Sequence, residues 1–341
     1  MDKREYWIDI AKSLGIFLVV LGHTSINENL KTFIYSFHMP LFFTISGFLF
    51  KTSDNFKNFF IKRFKRFIIP YFLFSLITYI FWILVSGRYG SGLVTEIGYM
   101  KPLIGSILGL SHGGYLIHNI SLWFLYVLFF IEIIYFFLLK IKMFKVIIAI
   151  SLILSIIGYL ISNILKVKLI YGLEKVFVAQ TFFLTGFIFR KINYQTRIKG
   201  LNIYKTIFLF LVFLSINLFL TKVNGFVDLV GNLFGRNYII YLLNGIVGSL
   251  MILTFSLFLE KSGIKNMIFE VVSKSTIYIL GFHEQIISIV FGMIFIIFKI
   301  PPETYKNVLL LNIIISIGDV LFIGGIYYIT LKIKTKIYKK L

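Results

Sequence analysis

The residues whose chemistry stands out lie in an apolar stretch where they are costly. Residues 7–24 read WIDIAKSLGIFLVVLGHT and carry Asp9, Lys12 and His23 in a segment hydrophobic enough to enter a bilayer. An Asp or Lys at the centre of a membrane helix costs about 2.5 to 3.5 kcal/mol on insertion scales, so such groups point to a partner or a task. Lys12 and His23 return to nearly one helix face at roughly 100° per residue, and stand about 16 Å apart along the axis. One face of this helix is therefore polar at two depths. Snorkelling to the headgroups is the ordinary account of Lys12, and a hydrogen bond at a helix end that of His23; the shared face favours function.

Other ionisable groups recur in equally apolar surroundings. The next stretch, SFHMPLFFTISGFLFK, puts His38 at the same membrane surface as His23, with Ser46 and Gly47 small enough for another helix to approach closely. Glu132 lies in SLWFLYVLFFIEIIYFFLLK at a depth near that of Lys12, which predicts a Lys12–Glu132 pair. STIYILGFHEQII brings His283 beside Glu284. Neighbours on a helix diverge by about 100°, so each needs a partner elsewhere, with Asp319 a candidate for His283. His112 and His118, in GLSHGGYLIHN, have no carboxylate at metal-ligand spacing, and no metal is expected. There is no cysteine, which excludes disulfides, thiol nucleophiles and thiolate metal sites.

The elements that must position these groups are transmembrane helices. Of 341 residues 58% are hydrophobic and 14% charged, a balance foreign to a soluble domain. Apolar runs long enough to cross a bilayer recur ten times, near 8–24, 33–50, 67–86, 119–139, 144–165, 173–189, 203–221, 238–259, 276–298 and 307–331. Lysine and arginine crowd alternate loops, Lys51 to Arg66, Lys140 to Lys145, Arg190 to Lys199, Lys261 to Lys274, and the tail after Leu331. The expected fold is thus an all-α, polytopic membrane protein of about ten spans, one transmembrane domain over 1–341, with both termini cytoplasmic. The formal charge of +21 is largely this topology signal plus contact with anionic lipid, and no nucleic-acid partner is expected. No small-residue cleavage site follows Leu21, so the first helix is expected to stay in the mature protein.

With DIAKSLGIFLVVLGH, FHMPLFFTISGFLF, KRFKRFIIPY, SLWFLYVLFF, TFFLTGFIFRK and STIYILGFH in hand, the chain resembles the acyltransferase-3 family of membrane O-acyltransferases, and within it the fucose 4-O-acetylase-like branch. The resemblance implies transfer of an acyl group, usually acetyl from cytosolic acetyl-CoA, to a hydroxyl of a glycan or lipid-linked sugar. It also implies a multi-pass protein of the bacterial cytoplasmic membrane. The essential histidine of the family's first helix falls on His23. The arginine eleven residues before it is replaced here by Lys12, which is no equivalent phosphate fork, and Arg63 and Arg66 match the family's basic loop. The expected catalytic set is His23, His38 and Glu132. Lys12, Arg63 and Arg66 would hold the acyl-CoA, Asp9, Trp123 and His283 the acceptor. An imidazole suits removal of a hydroxyl proton at neutral pH, or could itself carry the acyl group. Ser46, Thr44 and His38 are the candidate oxyanion donors.

A competing reading is a transporter or flippase of a lipid-linked saccharide. It draws on the intramembrane charges and on the echo between FFTISGFLFK and TFFLTGFIFRK. Against it, short interrupted helices are not placed in matching halves. A non-enzymatic scaffold would leave Lys12, Glu132, Glu284 and Asp319 without a role.

Overall fold

A computed structural model describes residues 5–52, 55–89, 97–194, 199–300, 304 and 308–338. Every regular element among the described residues is a helix, apart from one isolated antiparallel bridge, Asp228 to Leu233. Thirteen helices are labelled in chain order. They are α1 (Tyr6–Gly22), α2 (Glu28–Tyr35), α3 (His38–Leu49), α4 (Phe56–Arg63), α5 (Ile69–Tyr89), α6 (Met100–Leu108), α7 (Trp123–Leu138), α8 (Phe144–Tyr159), α9 (Leu173–Lys191), α10 (Ile203–Asn224), α11 (Tyr238–Lys261), α12 (Met267–Phe298) and α13 (Leu309–Tyr338). Among the described residues, nine candidate spans of at least 18 residues meet the hydropathy needed to cross a bilayer, α2 with α3 and α4 with α5 each counting once. The tenth expected span is α1, a 17-residue helix just short of that length.

Asparagine starts many of these helices, because its side chain can accept from the free amides of a first turn. Asn27, Asn55, Asn202, Asn237 and Asn266 each do so at the head of α2, α4, α10, α11 and α12. Pro40 falls in the first turn of α3, where a missing N–H is harmless. A π-helical turn, Phe64–Ile68, joins α4 to α5.

α1 lies at the centre, packed against α3, α11, α12 and α13. The rest sort by burial. The α7 span is 72% buried in its apolar window, the α10 span 17%, so α7 is core and α10 faces lipid. The tightest pairing is α3 with α9, and here the sequence echo becomes geometry. A Cβ on Gly47 would stand 2.0 Å from the Phe183 carbonyl, and one on Gly186 1.8 Å from that of Thr44. The two motifs supply reciprocal glycines to one close contact, the packing role expected for Ser46-Gly47.

The basic segments gather at one end of the bundle. Tyr6 Oη donates to Asn266 O at 2.9 Å, Arg63 to Lys51 O at 3.2 Å, Lys261 to Lys199 O at 2.9 Å, and Arg190 to Phe50 O. By the charge rule this is the inner face. His23, the loop after α6 and the 225–237 loop lie at the other end.

Candidate functional site

At the outer end, α1 stops at His23, whose amide bonds Val19 O and Val20 O as the ring leaves the helix. The chain before α7 is fastened to α12 beside it. Asn119 Nδ2 donates to Gly281 O and Gln285 Nε2 to His118 O, both at 2.7 Å. Ser121 donates twice to one oxygen of Glu284, from its amide at 3.1 Å and its hydroxyl at 2.5 Å. These contacts carry Ser121 and Glu284 to His23. Ser121 Oγ lies 3.4 Å from His23 Nε2, and Glu284 Oε1 4.0 Å from His23 Nδ1.

Proton positions follow from counting donors. Ser121 has one hydroxyl proton, and Glu284 takes it. The His23 contact therefore runs from Nε2–H to the serine oxygen, which leaves Nδ1 as the basic nitrogen facing a carboxylate. His283 completes the group, its ring 5.0 Å from that of His23 and edge-on. Its Nδ1 donates to Ile279 O at 2.9 Å, so its buried Nε2 is a bare lone pair, without a hydrogen-bond partner among the described residues. The side chains of His23 and Glu284 are 24% and 19% exposed, so the group is open to a substrate.

His23, His283 and Glu284 also bring ligand-type atoms within 4.8 Å of one another. Zinc–nitrogen bonds of 2.0 to 2.1 Å set tetrahedral ligands about 3.3 Å apart, closer than the 4.0 Å seen between His23 and Glu284. The geometry suits proton handling better than a cation.

The loop histidines divide. His118 is buried, its Nε2 between Ser75 Oγ at 3.0 Å and Ser106 Oγ at 3.3 Å, and burial pushes its pKa down to about 4. It is a structural histidine of the loop that carries Ser121. His112 is half-buried, and burial together with Lys175 and Lys168 lowers its pKa. On the outer rim, Asp228 accepts from the amides of Val230 and Gly231, and burial raises its carboxyl above the usual range. The Phe226 ring lies 5.3 Å from that of Tyr35.

At the inner end a cavity of about 300 Å³ is lined by Lys12, Ser46, Arg63, Arg66, Glu132 and Lys274, with Phe42 and Phe124 in its apolar wall. Here several expectations are corrected. Glu132 pairs with Arg63, Nε to Oε2 at 2.5 Å, in place of the expected pair with Lys12. A guanidinium fork, held also by Lys51 O and flanked by Phe50 and Phe59, is the better partner for a buried carboxylate. Lys12 Nζ donates to Ser273 O at 2.8 Å. Glu132 lies about 16 Å down α7 from Ser121 by helix rise, so it belongs to the inner cavity and not to the His23 group. Arg63 is buried in its pair, whereas Arg66 is exposed.

Of the remaining expected residues, His283 joins His23 and the others do not. Asp9 is buried near the inner end and accepts from Ser273 Oγ at 2.6 Å, a helix-to-helix tie. Trp123 is buried between Phe43 and Phe124. His38 is turned to Ile34 O at 2.9 Å, behind Tyr35. Thr44 donates to Phe182 O across the α3–α9 contact, which removes it from the oxyanion candidates. His283 meets His23 and not Asp319, whose buried carboxylate has no hydrogen-bond partner among the described residues. Ser121 and Glu284 are the site residues the sequence reading missed. Glu284 had a signal, an intramembrane charge needing a partner; a serine before an aromatic run had none.

The architecture and the site define a polytopic membrane protein with a protonatable cluster at one end of its central helix and a basic cavity at the other. The chain belongs to acyltransferase family 3, whose model, described as an acyltransferase domain, matches residues 5–329. No curated protein and no solved structure matches. The family makes this a membrane acyltransferase.

Proposed function

We propose that the protein transfers an acetyl group from cytosolic acetyl-CoA to a hydroxyl of a cell-surface glycan or lipid-linked sugar, in the manner of the fucose 4-O-acetylase-like branch, in a bacterial cytoplasmic membrane. The observation that carries this reading is the placement of both ends of α1. Lys12 lines the inner basic cavity and His23 sits in the outer cluster, about 16 Å away along one helix. The nucleotide phosphates would rest on Arg66 and Lys12, with the pantetheine arm running outward past Phe42 and Phe124. The acceptor would enter from the outer face past Asp228 and Tyr35.

His23 Nδ1 takes the acceptor's hydroxyl proton as the oxygen attacks the thioester carbonyl. The new C–O bond forms, the C–S bond breaks, and the proton leaves with the CoA thiol. Glu284 faces the imidazolium that forms in between, and Ser121 holds the ring by Nε2. His283, fully buried, packs its ring edge-on against that of His23 and supports its orientation.

The test is transfer of labelled acetyl from acetyl-CoA to glycan or lipid-linked sugar in membranes holding the native chain or His23→Ala. Label that appears with the native chain and disappears in the variant, at equal expression, supports the proposal. Two inert proteins that still move lipid-linked sugar between leaflets would favour the transporter.

A further inference from the structure

On the lipid-facing side of the bundle, away from the His23 cluster, α5, α12 and α13 part to form a cleft of about 540 Å³. Its walls are apolar, with Phe81 from α5, Tyr278, Phe282 and Ile286 from α12, and Ile326 and Leu331 from α13. Toward the outer end it meets Gln285, whose buried Oε1 has no hydrogen-bond partner among the described residues. Toward the inner end a second cleft of about 500 Å³ shares Tyr327 and Leu331 with the first, so the two make one furrow between α12 and α13. Its inner rim is basic. Lys274, Lys332, Lys334 and Lys336 stand there against the single carboxylate of Glu270, which pairs with Lys274 at 2.6 Å.

The furrow has the polarity and length of one lipid leaflet. From Lys274 to Gln285 α12 rises about 16 Å, about half of a ~30 Å hydrocarbon core. We propose that this furrow is a binding site for an anionic phospholipid of the inner leaflet, with its phosphate on Lys332 and Lys336 and one chain lying along α12 as far as Gln285. The charge of the rim selects the head. A zwitterionic lipid fits the same walls but brings no net charge to the lysines. The chain end would meet a residue that matters to the site, because Gln285 follows Glu284 and holds His118 O in the loop that presents Ser121. The lipid would thus brace the loop from the side opposite His23. None of this depends on the acyl-transfer reading.

The experiment uses the full chain in phosphatidylcholine nanodiscs, with a photoactivatable phosphatidylglycerol or its phosphatidylcholine counterpart carrying the same terminal diazirine chain. Phosphatidylglycerol should label peptides of α12 around 278–289 and of α13 around 323–331 about thirtyfold more efficiently, the factor two surface lysines supply at an anionic surface. K332Q/K336Q should bring that labelling down to the phosphatidylcholine level. Both lysines are exposed, so the fold is kept, and a melting curve checks it. I286W, which fills the cleft, should remove labelling of the α12 peptide while the lysines stay intact. Equal labelling by the two lipids would show ordinary bilayer contact and overturn the proposal. So would phosphatidylglycerol labelling that ignores the lysine change.

Discussion

Replacing Glu284 by glutamine isolates the charge of the site from its shape. The amide oxygen can still accept from the Ser121 amide and hydroxyl, now at 3.1 and 2.5 Å, so the loop remains fastened to α12. What disappears is a negative charge 4.0 Å from His23 Nδ1. At that distance a unit pair is worth about 4 kcal/mol at an effective dielectric constant of 20 and about 1 kcal/mol in bulk water. Both side chains are about one-fifth exposed, which places the interaction between these limits, near 2 to 3 kcal/mol. In the proposed reaction the imidazole gains charge as it takes the acceptor's proton, so the loss falls on the transition state. The turnover number should drop about 30- to 150-fold, with both Michaelis constants nearly unchanged. The assay is acetyl transfer in proteoliposomes at saturating donor and acceptor, beside His23→Ala. A turnover within threefold of native, at equal yield and melting temperature, would show that the carboxylate does not serve His23.

Three further outcomes test other parts of the structure. Gly47→Ala and Gly186→Ala each place a methyl against a carbonyl of the facing helix, which backbone cannot yield as a side chain would, so each should lower stability in detergent by about 1 to 3 kcal/mol, read as a lower melting temperature. Arg66→Ala should raise the Michaelis constant for acetyl-CoA with little change in turnover, whereas Arg63→Ala, which strands the buried Glu132, should cost about 3 to 5 kcal/mol of stability and show first as lost yield. His118 is neutral in the fold, with a pKa near 4, and ionises near 6.5 when unfolded. Below 6.5 the unfolded chain takes the proton first, so stability should be full above that pH and fall as pH drops from 6.5 to 4, by about 3 kcal/mol at most. His118→Asn should flatten that part of the melting-temperature profile.

The fold was legible because the bilayer imposes a coarse code. Length, hydropathy and alternating lysine are properties of single segments, and they suffice to count and orient helices. The Gly47 and Gly186 motifs were legible as motifs, but only packing shows that each accommodates the other's helix. Partner choice was harder to read. Lys12 and Arg63 are both basic residues near the depth of Glu132, and nothing in their spacing says which helix turns toward it. The π-turn after Arg63, where the α4–α5 helix changes register, is the sort of local feature that composition does not announce.

The same limit explains why the expected residues divide between the two ends of the bundle. His23 and His283 meet because α1 and α12 pack side by side and run in the same direction, with Asp9 level with Ser273 at the inner end and His23 level with His283 at the outer. His38 and Glu132 share types with a catalytic set, yet one faces the Ile34 carbonyl at the end of α2 and the other lies a membrane half-thickness away. Ser121 and Glu284 join the site through a loop that four hydrogen bonds tie to α12. A loop is where identity is least constrained by hydropathy and function most often sits. The division between the ends of α1 then has a chemical reason. In the proposed reaction phosphates need cations and a general base needs a carboxylate; about 16 Å of apolar helix would keep Arg66 and Lys12 from adding positive charge beside the imidazole as it becomes cationic. Moving a lysine to the outer end, by Thr24→Lys, should therefore slow acetyl transfer without altering acetyl-CoA binding, and a variant that transferred at the native rate would sever the link between the helix's polarity and its chemistry.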